Sequence, residues 1–132
     1  MIIKEKCEYQ IGTDTFQGIF CYDNEIEGPL PGVLVSHQYS GCSKLEERKS
    51  EFLAKAGYFA FAIDLYGKGI RGKTPEESLN LMNELSKDRT VISNRINHCL
   101  NLLKDQNLVD SNKVAAIGYC FGGRCVLDLA RS

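Results

Sequence analysis

Gly118-Tyr119-Cys120-Phe121-Gly122-Gly123 follows the apolar run Val114-Ala115-Ala116-Ile117 and precedes the helix-patterned stretch Arg124 to Ala130. The order reads as strand, sharp turn, helix. A side chain at the top of such a turn is strained, and Gly118 and Gly122 supply room that neighbours with side chains would fill. The same turn sets the Cys120 sulfur at a helix N-terminus, where unpaired N–H groups and the helix dipole favour a thiolate. The N–H of Phe121 then points to where an oxyanion would form. The competing reading is a small buried cysteine beside glycines that merely end a strand. It does not account for the strand, turn and helix falling in this order.

Upstream, Ile2 to Ile11 and Thr15 to Tyr22 alternate with period two around Gly12-Thr13-Asp14, which predicts a β-hairpin. Asn24 to Pro31 reads as a loop, and Val33-Leu34-Val35 as a strand buried on both faces. Ser43-Lys44-Leu45-Glu46 is a capping box that opens a helix through Leu45, Phe52, Leu53 and Ala56, ended by Gly57. Tyr58 to Ile63 predicts a second buried strand closing on Asp64, so a right-handed parallel crossover is expected. Gly67, Gly69 and Gly72 alternate with Lys68, Arg71 and Lys73, which predicts a flexible basic loop. The order of elements there is not that of a phosphate cradle. Thr74-Pro75-Glu76-Glu77 caps a further helix whose apolar side would use Leu79, Met82 and Leu85. Ile92, Ile96, Cys99, Leu100 and Leu103 predict a long helix from about Asp88 to Gln106 that lays this face on the sheet.

The 132 residues carry 16 basic and 17 acidic side chains, for a net charge of −1, with no basic stripe. Binding to nucleic acid or to a membrane surface has no support in this pattern. The apolar runs are strand-sized, and Met1-Ile2-Ile3-Lys4-Glu5-Lys6 lacks a signal-peptide pattern, so a cytoplasmic location is expected. Six cysteines without a secretory signal read as free thiols, with Cys7, Cys21 and Cys99 as small core hydrophobes. Cys120 and Cys125 do not have a zinc spacing, and His37 and His98 are the only histidines, so no metal or cofactor is expected.

A strand, a glycine-flanked nucleophile and a helix form the nucleophile elbow of an α/β-hydrolase, here with cysteine for the usual serine. His37-Gln38-Tyr39-Ser40-Gly41 after the first buried strand, Asp64-Leu65-Tyr66-Gly67 after the second, and the cysteine elbow together resemble the dienelactone hydrolase family. The resemblance covers essentially the whole chain. It implies an α/β fold in which residues 1–132 are the N-terminal part of a single α/β-hydrolase domain. The expected architecture is incomplete: a mostly parallel sheet with an N-terminal antiparallel hairpin, flanking helices, and the elbow strand as an unpaired edge open to self-association. In this fold the triad acid and histidine follow the nucleophile in sequence, so both are expected to be absent from this chain.

The resemblance further implies Cys120 as the nucleophile and the N–H groups of Tyr39 and Phe121 as the oxyanion hole. Arg89 is matched to an arginine that holds a substrate carboxylate, against the plainer reading of a solvated helix charge paired with a nearby acid. Gln38 stands where the family usually carries a glutamate; an amide can bind a thiol or a substrate oxygen but cannot accept the thiol proton. His37 as a surrogate base is the weaker alternative to a hydrogen-bonding role in its loop, and Asp64 reads equally as loop cap or catalytic group.

The family's activity is opening of lactones or cleavage of small esters through a thioester. For this chain the expectation is therefore an ester or lactone hydrolase, inactive or limited to one turnover by the missing histidine. The alternative from another class is a non-catalytic truncated protein serving as a binding or assembly partner. A redox pair of Cys120 with Cys125 is disfavoured, because the two side chains leave the helix on different faces.

Overall fold

The computed structural model describes residues 1–132 and orders them as β1 (Ile2–Ile11), β2 (Asp14–Asp23), β3 (Leu30–Ser36), α1 (Lys44–Lys55), β4 (Phe59–Ala62), α2 (Pro75–Ser86), α3 (Arg89–Lys104), β5 (Val109–Gly118) and α4 (Phe121–Ala130). The five strands form one open mixed sheet in the order β1-β2-β4-β3-β5. β1 and β2 make the expected hairpin, and β2 joins β4 antiparallel. β4, β3 and β5 run parallel, so their C-terminal ends line up along one edge. Asp64, His37 and Cys120 all lie just beyond those ends, which is where open α/β sheets present their chemistry.

Helices cover both faces. Ile92, Ile96, Cys99 and Leu103 of α3 and Phe121 and Cys125 of α4 join Phe16, Phe20, Leu34 and Phe61 of the sheet in a core of eighteen buried residues. On the other face, Ala54 of α1 packs on Cys21 and Ala60 in a small cluster. The Tyr9 hydroxyl bolts the hairpin to the main core. It donates to the Asp64 carbonyl, accepts from the Asp64 N–H at 3.0 Å, and accepts the Cys99 thiol at 3.3 Å. Burial pushes the Tyr9 pKa up, so the phenol stays a donor.

Two expectations change. On α1 the buried positions are Glu46, Ser50 and Ala54, a stripe at i, i+4, i+8, whereas Phe52 is 74% exposed and Leu45 42%. Close approach to the sheet favours small residues there, and Glu46 is tolerated because its Oε1 accepts from both the N–H and the hydroxyl of Ser43, each at 2.8 Å. On α2 it is Ser78 and Leu85 that are buried, and Leu79 is 46% exposed. β5 is the unpaired edge expected of the elbow strand: Ala115 is exposed and its neighbours only half-buried, because nothing pairs with its outer side. No helix is long and apolar enough to cross a membrane.

Candidate active site

β5 ends at Gly118 and α4 begins at Phe121, leaving Tyr119 and Cys120 to turn the chain. Cys120 takes φ 54° and ψ −118° and is the one non-glycine residue at positive φ. A side chain there costs about 1–3 kcal/mol. The flanking glycines make the turn possible. A Cβ on Gly118 would sit 2.3 Å from the Gly122 carbonyl carbon, and one on Gly122 would sit 2.4 Å from the Ser36 oxygen and 2.7 Å from that of His37. The first turn of α4 is thus pressed against the ends of both β5 and β3. It is closed by Gly122 N–H to Tyr119 at 2.9 Å and Arg124 N–H to Cys120 at 3.2 Å.

The Cys120 thiol is exposed, and no side chain caps α4 there. Burial pushes the thiols of Cys21, Cys42, Cys99 and Cys125 up to about 12 and raises that of half-buried Cys7.

The segment after β3 faces this turn, since Ser36 pairs with Gly118. His37 is fully buried. Its Nε2 accepts the Leu65 N–H at 3.0 Å, so the ring proton is on Nδ1, which donates to the Gln38 carbonyl at 2.7 Å. Burial lowers the His37 pKa and keeps the ring neutral. Both nitrogens are therefore engaged, and neither is left to accept a thiol proton. This geometry favours the loop-holding role over the surrogate base.

The Gly41 N–H reaches the same Gln38 carbonyl at 3.1 Å, while the Gln38 side chain, half-buried, has no hydrogen-bond partner in the chain. Tyr39 has its carbonyl bonded by the Tyr66 hydroxyl at 2.8 Å, and its N–H finds no acceptor. The Tyr66 ring packs 4.8 Å from His37 and lies nearly parallel to Phe121 at 6.1 Å.

Asp64 acts as the cap of its own loop. Oδ1 accepts from the N–H groups of Tyr66 and Gly67 at 3.0 and 3.1 Å, and Oδ2 from that of Gln17 at 3.0 Å. Arg71 adds contacts to Asp64 at 3.5 Å, to Gly67 O at 3.2 Å and to Ile70 O at 2.6 Å. The basic loop expected to be flexible is braced by this carboxylate. Sequence reading missed that, because the partners are backbone groups, which leave no residue pattern. Tyr66 was missed as a site residue for the same reason.

Arg89 is not brought to the sulfur: its Nε lies 3.9 Å from Asp128, about two helical turns along α4 from Cys120. Cys125 is buried on the inner side of α4, apart from exposed Cys120. His98 stacks on Tyr9 with ring centroids 5.6 Å apart.

A model described as the Dienelactone hydrolase family matches residues 17–132. A Bradyrhizobium sp protein named "Probable 2-oxo-3-(5-oxofuran-2-ylidene)propanoate lactonase" is 27% identical over 115 residues, covering 81% of this chain and 43% of that protein. Among solved structures, one named m3DLH superposes with a TM-score of 0.94 at 33% identity, over 98% of this chain and 54% of its own. A "Dienelactone Hydrolase-like Promiscuous Phospotriesterase" from metagenomic libraries gives 0.92 at 32% identity, with the same two coverages. The chain thus spans about half the length of these relatives.

Proposed function

The chain belongs to the dienelactone hydrolase family, and from that membership we propose that it acts in the hydrolysis of a small ester or lactone through a thioester on Cys120. The observation that supports this most is the exposed sulfur of the one non-glycine residue held at positive φ, on the turn between β5 and α4. In the proposed reaction the Cys120 thiolate bonds to the substrate carbonyl carbon and the C=O π electrons move onto oxygen. The N–H groups of Tyr39 and Phe121 hold that oxyanion. Collapse re-forms C=O, breaks the bond to the alkoxy oxygen and leaves the acyl group on sulfur, while the released oxygen takes up a proton. In a lactone the same bond cleavage opens the ring.

Water must then cleave the thioester, a step that needs a base. Within residues 1–132 neither histidine is poised for it, since His37 has both nitrogens bonded and His98 lies against Tyr9. One acylation is therefore the activity proposed for these residues alone. Turnover is assigned to a larger hydrolase domain of which they form the N-terminal part. Gln38 would orient the thiol or a substrate oxygen without taking a proton. For Arg89 to hold a substrate carboxylate it must release Asp128, whose carboxylate is buried and would lose its only ion-pair partner.

The test is competitive labelling at neutral pH followed by peptide mapping. Cys120 takes iodoacetamide ahead of the five other cysteines, and p-nitrophenyl acetate releases one equivalent of nitrophenolate with the acetyl group on Cys120. Even labelling of all six thiols would overturn the reading.

A further inference from the structure

In a trans peptide the C=O and N–H lie in one plane and point in opposite directions, so fixing one fixes the other. The peptide joining Gln38 to Tyr39 has its carbonyl held by two donors, His37 Nδ1 at 2.7 Å and Gly41 N–H at 3.1 Å. These use both acceptor positions of that oxygen. The opposite end of the same peptide is the Tyr39 N–H, which has no acceptor in the fold. The next peptide is held as well, its carbonyl taking the Tyr66 hydroxyl at 2.8 Å.

Neither holder is free to drift. His37 is pinned at its far nitrogen by Leu65 N–H, beyond the end of β4, and Tyr66 is pinned by its own N–H on the Asp64 carboxylate. The Tyr66 ring also lies along Phe121, whose N–H is the other proposed oxyanion donor.

We propose that His37 and Tyr66 are positioning residues, which clamp the two peptides around Tyr39 so that its N–H is presented, already oriented, to an oxyanion forming at Cys120. This inference rests on the reading of Cys120 as the nucleophile. Its force comes from a preorganised donor, which needs no reorganisation when charge develops. Neither residue touches the substrate.

Two reagents separate this role from a general loss of structure. Acylation by p-nitrophenyl acetate passes through an oxyanion: the thiolate attacks the acetyl carbon, charge forms on oxygen, and nitrophenolate departs. Alkylation by iodoacetamide displaces iodide at carbon and forms no oxyanion. Tyr66→Phe keeps the ring stack and removes the hydroxyl, and His37→Ala removes the carbonyl donor. Each slows acylation of Cys120 about 10-fold and leaves its alkylation unchanged. His37→Asn, whose amide nitrogen can replace Nδ1, recovers part of the lost rate.

Acylation of Tyr66→Phe at the unmodified rate, or acylation and alkylation falling together, overturns the clamp. Tyr66→Phe decides the matter alone if His37→Ala does not fold. Failure of both reagents to single out Cys120 in the unmodified protein is a different result, and it overturns the nucleophile reading beneath the clamp.

Discussion

Holding an L side chain at φ 54° costs about 1–3 kcal/mol, and at position 120 that cost is borne where glycine would be comfortable. Cys120→Gly is therefore expected to raise stability by about 1 kcal/mol while abolishing ester acylation; a urea midpoint that fails to rise would show the turn to be unstrained. Gly122→Ala acts in the opposite sense. Its Cβ would sit 2.4 Å from the Ser36 carbonyl, a backbone atom that cannot swing away, so a loss of more than about 2 kcal/mol is expected in the same measurement.

His37 supplies the pH dependence. Its folded pKa lies below the unfolded value of about 6.5, so the unfolded chain binds a proton that the folded one does not. Stability from this residue is complete above the unfolded pKa and is lost as pH falls from there toward the folded pKa. Burial, with Arg71 acting in the same direction, outweighs the hydrogen bond to the Gln38 carbonyl and the charges of Asp64 and Glu46, which pull the pKa back up. Urea midpoints should drop between about pH 7 and pH 5, and His37→Asn should flatten that slope.

Helix α1 starts where the capping box says it should, with Ser43 as N-cap and Glu46 bonded back to it. Ser43→Ala is expected to cost about 1 kcal/mol by thermal or urea unfolding. Removing the exposed phenyl in Phe52→Glu is expected to change stability by less than about 0.5 kcal/mol. The contrast shows which part of an element can be read from sequence. Caps, the hairpin and the long apolar face of α3 are written in side chains and periods, and they were legible, as was the cysteine elbow. The buried face of α1 was not, because a Glu–Ser–Ala stripe looks solvent-directed until the sheet is close enough to demand small residues. The loops after β3 and β4 were only half legible. Their residues carry the family resemblance, but the bonds that shape them run from His37, Tyr66 and Asp64 to main-chain groups that every residue possesses.

On the scale of the whole chain, the sheet has an uncovered side. β5 pairs only with β3, and an apolar groove flanks it on each side of the sheet. One of about 280 Å³ is lined by Leu100, Val114, Ala116, Val126 and Leu129, and the other, of about 340 Å³, by Phe52, Leu53, Ile117 and Tyr119 together with Lys49, whose ammonium lies over the Tyr119 ring. An edge strand of this kind invites another strand. The 132-residue chain is expected to associate with itself in sedimentation velocity at rising concentration, and Ala115→Lys, which places a charge on the open strand, should return it to monomer. Monomeric behaviour of the unmodified chain across the same range would remove the edge as an association surface.

The Tyr9 bolt has a bearing on how the chain comes off the ribosome. Its hydroxyl waits 55 residues for Asp64 and 90 for Cys99. At about 5–20 residues per second that is a delay of roughly 3 to 18 seconds. Throughout it the nascent hairpin holds Phe16 and Phe20 without the α3 and α4 side chains that cover them in the folded core.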